Sequence, residues 1–395
     1  MSCATLLTAA SGTSQNRFET LYTFAGSPDG ATPEGLTTGP NGVFYGVTAY
    51  GGAFGYGSVF ELQPPAAPGG TWTEIVLYSF GSNTNDGQFP FASPIVGTNG
   101  AIYGTTALGG YYGAGTVYEL TTPAEPGGAW TETVLSSLMG SDRGLVAGSN
   151  GELFGVAASD YELFGGAFEL TPPANPGGTW TYSTIYDFTG DGREPAGLAK
   201  GPDGVLYGTT SYGGSDGAGT VFALTPPAVS GGTWTENVIY TFTGGTDGDA
   251  PLQPPVMAKD GTLYGTTSAG GSAGAGTVFG LTPPATAGDA WTETVLYDFA
   301  KSGDGKIPDS PLIVRNGAIY GTTLEGLGNK TAGGTVFRLR KSATGGAWIE
   351  TVLHGFPGVA GPYGSLVVDQ SGAIYGTTTG GPGPDGAGSV YRINP

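Results

Sequence analysis

With 395 residues, 77 of them Gly and 29 Pro, yet 38% hydrophobic and 11% aromatic, the chain is too apolar for disorder, so Gly and Pro must punctuate many short strands. Acids outnumber bases 32 to 13, and a net charge of −19 disfavours nucleic acid and anionic membranes while favouring cations. A single Cys (Cys3) and a single His (His354) exclude a disulfide framework, a zinc cluster and a Cys/His dyad, and no apolar run reaches the roughly 18 residues that span a bilayer.

In chain order, residues 1–15 read as a flexible tail; its apolar stretch 3–10 is short and lacks a basic flank, so it reads as a frayed end rather than an export signal. Residues 18–24 read as a strand with no repeat of its own. From there the chain repeats. A phrase of the form Trp-Thr-Glu-x-Val-Leu-Tyr-x-Phe begins at Trp72, Trp130, Trp180, Trp234, Trp291 and Trp348, 50 to 58 residues apart. A period near 55 with four strand-like runs per copy fits one propeller blade and not a β-helix rung or a helical repeat.

The copy starting near Ser310 shows the pattern. A first strand over 310–314 turns through Asn316-Gly317 into a second over 318–323; a Gly-rich loop leads to a third over 334–339, and a fourth carries the Trp phrase. The dipeptides Asn41-Gly42, Asn99-Gly100, Asn150-Gly151, Asp203-Gly204 and Asp260-Gly261 recur at the first turn and predict type I′ hairpins. Seven first strands are expected, near Glu34, Ala92, Gly144, Gly197, Pro254, Ser310 and Gly364, but only six Trp phrases follow them. The chain ends on a third strand at 390–393, so residues 18–24 are expected to supply the missing fourth. The reading is a seven-bladed all-β propeller in one domain over 16–395, with blades near 34–80, 92–138, 144–188, 197–242, 254–299, 310–356 and 364–393 plus 18–24.

Tyr-Gly-Thr-Thr, Gly-Thr-Val-Phe-x-Leu-Thr-Pro-Pro and Gly-Gly-x-Trp-Thr-Glu together resemble the GloVer-type tandem-repeat proteins of bacteria, often described as choice-of-anchor proteins, over nearly the whole chain. The resemblance implies a propeller in an exported or surface setting, extracellular or periplasmic, and brings no catalytic motif with it. The sequence departs from that pattern in showing no anchor segment up to Pro395.

In such a meander, the loops after the second and fourth strands share one face, and they are the ones that vary. Variable loops on a rigid scaffold are where ligand sites belong. The position just before the small residue opening each first strand reads Glu34, Ala92, Arg143, Ala196, Gln253, Asp309 and Gly364, a column that changes while its neighbours do not. On it we expect Glu34, Arg143 and Asp309 as catalytic groups, Gln253 with the loop aromatics Tyr111, Tyr112 and Tyr161 as substrate contacts, and Asp142, Asp160, Glu34 and Asp309 as ligands to calcium or another divalent cation, with no organic cofactor. The expected activity is cation-assisted hydrolysis of small phosphate or lactone-like carboxylic esters; the alternative is a non-catalytic extracellular module binding glycan or protein. A monomer is expected. The Asp-Gly pairs at Asp29, Asp86, Asp191, Asp247 and Asp304 read as turn caps, with a ring of calcium ligands as the rival reading, and His354 reads as a packed strand residue in a Tyr column.

Overall fold

The structure, a computed structural model, describes residues 17–395 except 68, 126, 139–142, 158–164, 176, 191, 230, 287, 300–302, 327–332, 359–360 and 381–385. Cys3, the tail, Asp142, Asp160, Tyr161 and Asp191 lie outside the described residues. Within them the chain is all-β, broken only by two single turns of 3-10 helix.

Strands pair with their neighbours in sequence, giving propeller-like four-stranded antiparallel meanders. Leu145–Ala147, Leu153–Ala157, Gly166–Thr171 and Thr181–Asp187 form one, and Gly192–Lys200, Leu206–Gly213, Thr220–Thr225 and Thr235–Thr241 the next. The strand expected to complete the last repeat does so: Arg17–Thr23 pairs antiparallel with Ser389–Asn394, Phe18 opposite Ile393 and Tyr22 opposite Val390. The first and last repeats also meet in parallel where Gly35 faces Ser365, which merges them into one eight-stranded sheet.

The recurring Phe that ends each Trp phrase explains how successive meanders adhere. Phe24 packs edge-to-face on Phe60 at 5.1 Å, Phe80 on Tyr118 at 5.0 Å, Phe188 on Phe222 at 4.9 Å, Phe242 on Phe279 at 5.1 Å and Phe299 on Phe337 at 5.3 Å. Phe356 meets Tyr391 at 5.1 Å, and Leu138 with Phe168 fills the same role in the third repeat. Each such ring is buried, which holds the column to large apolar side chains.

Two polar columns lock the scaffold. Second and third strands are joined by buried hydroxyl pairs, Thr48 with Ser58 and Thr106 with Thr116, both at 2.8 Å, and likewise Thr210/Thr220, Thr267/Thr277, Thr323/Thr335 and Thr378/Ser389. The third repeat has Ala157 opposite Gly166 instead. Among the described residues, the Asp of four Asp-Gly pairs accepts from a strand tyrosine: Tyr22 donates to Asp29, Tyr78 to Asp86, Tyr240 to Asp247 and Tyr297 to Asp304, at 2.8 to 3.2 Å. Asp86 Oδ2 also accepts from the Gly81 and Ser82 amides, at 2.9 and 2.8 Å. These contacts support the turn-cap reading of the Asp-Gly pairs.

The first turns meet the expectation in part. Asn316-Gly317 is a two-residue hairpin, closing on the Arg315–Ala318 pair with both φ values positive, as type I′ requires. Asn41-Gly42 and Asp203-Gly204 also have both φ values positive, with Val43 N donating to Pro40 O at 3.1 Å and Val205 N to Pro202 O at 3.2 Å. Apart from Asn316-Gly317, five residues connect the paired strands, as between Thr38 and Phe44 or Val96 and Ile102. Asn99 and Asp260 use their side chains rather than left-handed backbone, each Oδ1 accepting an amide two residues on at 3.1 Å. His354 sits as expected, stacked on Phe18 at 4.0 Å and edge-on to Phe356 at 4.7 Å.

Candidate functional site

The loops after second and fourth strands do share a face, because they bond to each other: Gly52 N donates to Asp29 O and Gly110 N to Asp86 O, both at 3.1 Å. At that face the first strands converge on a cavity of about 390 Å³. All seven residues of the variable column line it, Glu34, Ala92, Arg143, Ala196, Gln253, Asp309 and Gly364. Its floor is narrow. Ser93 and Ser365 hydroxyls meet at 2.6 Å across it, and a Cβ on Gly35, whose φ is +119°, would strike Ser93 Oγ and lie 2.9 Å from Ser365 N.

Counting outward from the strand pairing corrects one position. Leu36, Leu145 and Leu198 face the Gly of Tyr-Gly-Thr-Thr or its counterpart, and Glu34, Arg143 and Ala196 lie two residues before them. In the sixth repeat Ile313 faces Tyr320, which puts Ser310, not Asp309, at the same level. Ser310 is 1% exposed and its Oγ accepts from Thr322 N at 3.0 Å. Asp309 stands one residue further out, level with Phe91 and Tyr363, both on the cavity. The reason is an additional residue between the recurring Pro and the strand: Pro33-Glu34-Gly35 in the first repeat becomes Pro90-Phe91-Ala92-Ser93 in the second and Pro308-Asp309-Ser310-Pro311 in the sixth. The cavity therefore has two tiers of side chains. Phe91 and Tyr363 escaped the sequence reading, although their place in the stretch between that Pro and the strand could have revealed them.

Gln253 Nε2 donates to Asp309 Oδ1 at 3.2 Å and points also at Asp309 O at 3.4 Å. Burial raises the Asp309 carboxyl above its usual range, opposed by the Gln253 hydrogen bond and the Arg143 charge. Glu34 is only 3% exposed. The pocket thus holds an amide, a guanidinium and two carboxylates among apolar Ala92, Leu145 and Pro254. Of the four expected metal ligands only Glu34 and Asp309 are among the described residues, and within these no three His, Cys, Asp or Glu come together as a metal site.

Tyr111 and Tyr112 do not line the cavity. They stand exposed, at 78% and 65%, on the second repeat's loop. A second cavity of about 530 Å³ lies on the opposite, turn face, walled by Pro64, Pro65, Trp72 and Tyr375. Those walls belong to columns that recur in other repeats, so that groove is a property of the scaffold. No described helix is long and apolar enough to cross a membrane.

The Gloeobacter/Verrucomicrobia repeat family matches twice in tandem, over residues 7–200 and 194–395, and the chain belongs to that family. No curated protein matches it. Among solved structures it is similar to a polysaccharide lyase, an ulvan lyase, at 10% identity and a TM-score of 0.57, over 93% of this chain and 95% of that one. It is also similar to puromycin hydrolase, at 14% identity and 0.51, over 89% of this chain and 50% of that one. At such identities the likeness is one of fold.

Proposed function

We propose that this repeat protein is one closed ring of seven blades over residues 16–395 whose channel-mouth cavity recognises a hydroxyl-rich small ligand, a carbohydrate by class. The seven equivalent aromatic or leucine junctions between successive repeats, from Phe24 on Phe60 round to Phe356 on Tyr391, support the ring. The observation carrying the ligand reading is the hydrogen-bonded Gln253–Asp309 pair beside Phe91 and Tyr363, in a cavity lined by a column that varies from repeat to repeat. Amide and carboxylate groups together offer donors and acceptors to sugar hydroxyls, and aromatic faces cover the apolar C–H face of a sugar ring. In this reading Gln253 and Asp309 orient the ligand and Arg143 sets the charge balance. Low Lys content and the family's bacterial distribution favour an exported protein.

Calorimetric titration with neutral mono- and disaccharides tests the reading. Gln253→Ala and Asp309→Asn should each weaken binding tenfold or more, roughly the 1.4 kcal/mol of one good hydrogen bond to a charged or amide group. Wild-type protein that binds no saccharide, or variants that bind as well as wild type, overturns it.

One observation favours a second reading. In it Asp309, on the cavity wall with its carboxyl raised by burial and near the Arg143 charge, would act as a water-positioning base for cation-assisted hydrolysis of small phosphate or lactone-like esters. Arg143 would then clamp developing negative charge, and Glu34 with Asp142 and Asp160 would hold a calcium-like ion. Ester hydrolysis unaffected by chelation and by Glu34→Ala with Asp309→Ala would sink this alternative.

A further inference from the structure

Aromatic side chains are not spread evenly over the site face. In the first repeat's loop Tyr50 is 46% exposed, Phe54 52% and Tyr56 38%, and in the second Tyr111 and Tyr112 project beside each other, edge-to-face at 5.1 Å. These rings connect to the cavity. Phe91 on its wall contacts Tyr50 at 6.3 Å, Tyr50 contacts Phe89 at 5.4 Å and Phe89 contacts Tyr56 at 5.5 Å. The backbone at Phe89, φ +57°, is that of the whole column before the recurring Pro, shared by Thr32, Glu194, Ala250 and Ile307, so the scaffold sets its place and only its ring is particular to this repeat.

The scaffold does not need these rings. The fifth repeat builds the same loop with Ala269, Ala273 and Ala275 where the first has Tyr50, Phe54 and Tyr56. Its closing hydrogen bond, Gly276 N to Gly270 O at 3.1 Å, equals the Gly57 N to Gly51 O bond at 3.1 Å. An exposed aromatic run that folding does not require, and that continues into a ligand cavity, is a binding surface. Neither loop, 49–58 or 107–116, carries a charge, and the whole chain at −19 repels polyanions.

We infer that the Phe91–Tyr50–Phe89–Tyr56 track extends the cavity into a groove for a neutral polysaccharide chain, with one end in the cavity and the following sugars stacked on the rings. This rests on the carbohydrate reading of the cavity and adds the length and charge class of the ligand.

The test compares a disaccharide with a hexasaccharide of the same neutral polymer, drawn from xylan, laminarin and galactomannan, by calorimetry on the full chain, with the intact polymer in affinity gel electrophoresis. Tyr50→Ala, and separately Phe54→Ala with Tyr56→Ala, should weaken hexasaccharide and polymer binding about three- to tenfold each, the range of one aromatic stacking contact, and leave the disaccharide unchanged. Gln253→Ala should weaken both lengths. Two loop sites guard against a misfolded variant, and retained disaccharide affinity reports an intact cavity. Hexasaccharide affinity equal to that of the disaccharide, or unmoved in both loop variants, overturns the track and leaves the cavity reading standing. Preference for a sulfated or uronate polymer, or loop variants that lose a protein partner and no sugar, also overturns the track. Failure of every neutral sugar, disaccharide included, overturns the cavity reading first.

Discussion

The glutamate of the Trp-Thr-Glu phrase gives the sharpest stability prediction. Glu74, Glu132 and Glu293 face the end of the preceding repeat, each with Oε1 buried and without a hydrogen-bond partner among the described residues. Burial first, and then the facing carboxylates Asp29, Asp86 and Asp247, push each of them up to about 7. The tyrosines Tyr22, Tyr78 and Tyr240 complete the clusters. With the folded-state value raised above the unfolded 4.5, the native protein holds protons that the unfolded chain has lost between these limits. Stability must therefore fall as pH rises from about 4.5 to 7 and level off above. Two and a half pH units at about 1.36 kcal/mol each give a ceiling near 3.4 kcal/mol per glutamate, and partial solvent screening reduces this to about 1–2 kcal/mol. Urea unfolding at pH 5 and pH 8 should show wild type losing about 3–6 kcal/mol more than a Glu74→Gln, Glu132→Gln, Glu293→Gln variant over that interval. If the variant loses as much as wild type, the glutamates are not the groups that titrate and the reasoning is wrong.

Three further outcomes follow from the packing. His354, whose ring burial lowers its pKa, adds stability that disappears as pH falls below the unfolded 6.5 towards the folded value; His354→Tyr should remove that acid-side loss in melting curves from pH 7 to 5. Thr267→Val should cost about 1–3 kcal/mol in urea unfolding, because Thr267 Oγ1 pairs with Thr277, accepts its amide and donates to Ala269 O; an unchanged midpoint would show these bonds contribute nothing net. Gly35→Ala should destabilise by more than about 1–3 kcal/mol, since the backbone there is left-handed and Ser93 and Ser365 N occupy the Cβ position; wild-type melting would contradict the narrow channel floor.

Much of the scaffold is legible because a repeat exposes its own rules. A Phe found at the end of five Trp phrases, with a Tyr two residues earlier in four of them, must satisfy one packing geometry, and the structure shows both, in the edge-to-face junctions and the Tyr–Asp bonds. Turn chemistry is less legible, because Asn-Gly serves equally in a two-residue hairpin at Asn316 and a five-residue loop at Asn99, and the choice depends on how far the flanking strands stay paired. The site divides the same way. Glu34, Arg143 and Gln253 stand out as breaks in a column, whereas Phe91 and Tyr363 occupy a tier created by inserted residues, and an insertion shifts the alignment that would have displayed them.

The pairing of Arg17–Thr23 with Ser389–Asn394 also sets a timetable. Glu19 bonds Arg392 across 373 positions of sequence. At a ribosome adding about 5–20 residues per second, the earlier strand waits roughly 20–75 s for its partner. During that wait the edge of Arg17–Thr23 and the rings of Phe18 and Tyr22 stay open to other nascent chains and to chaperones. Synthesis rate and chaperone supply, more than final stability, should therefore govern how much of this protein is recovered in the native fold, and slowing translation should raise the fraction lost to aggregates.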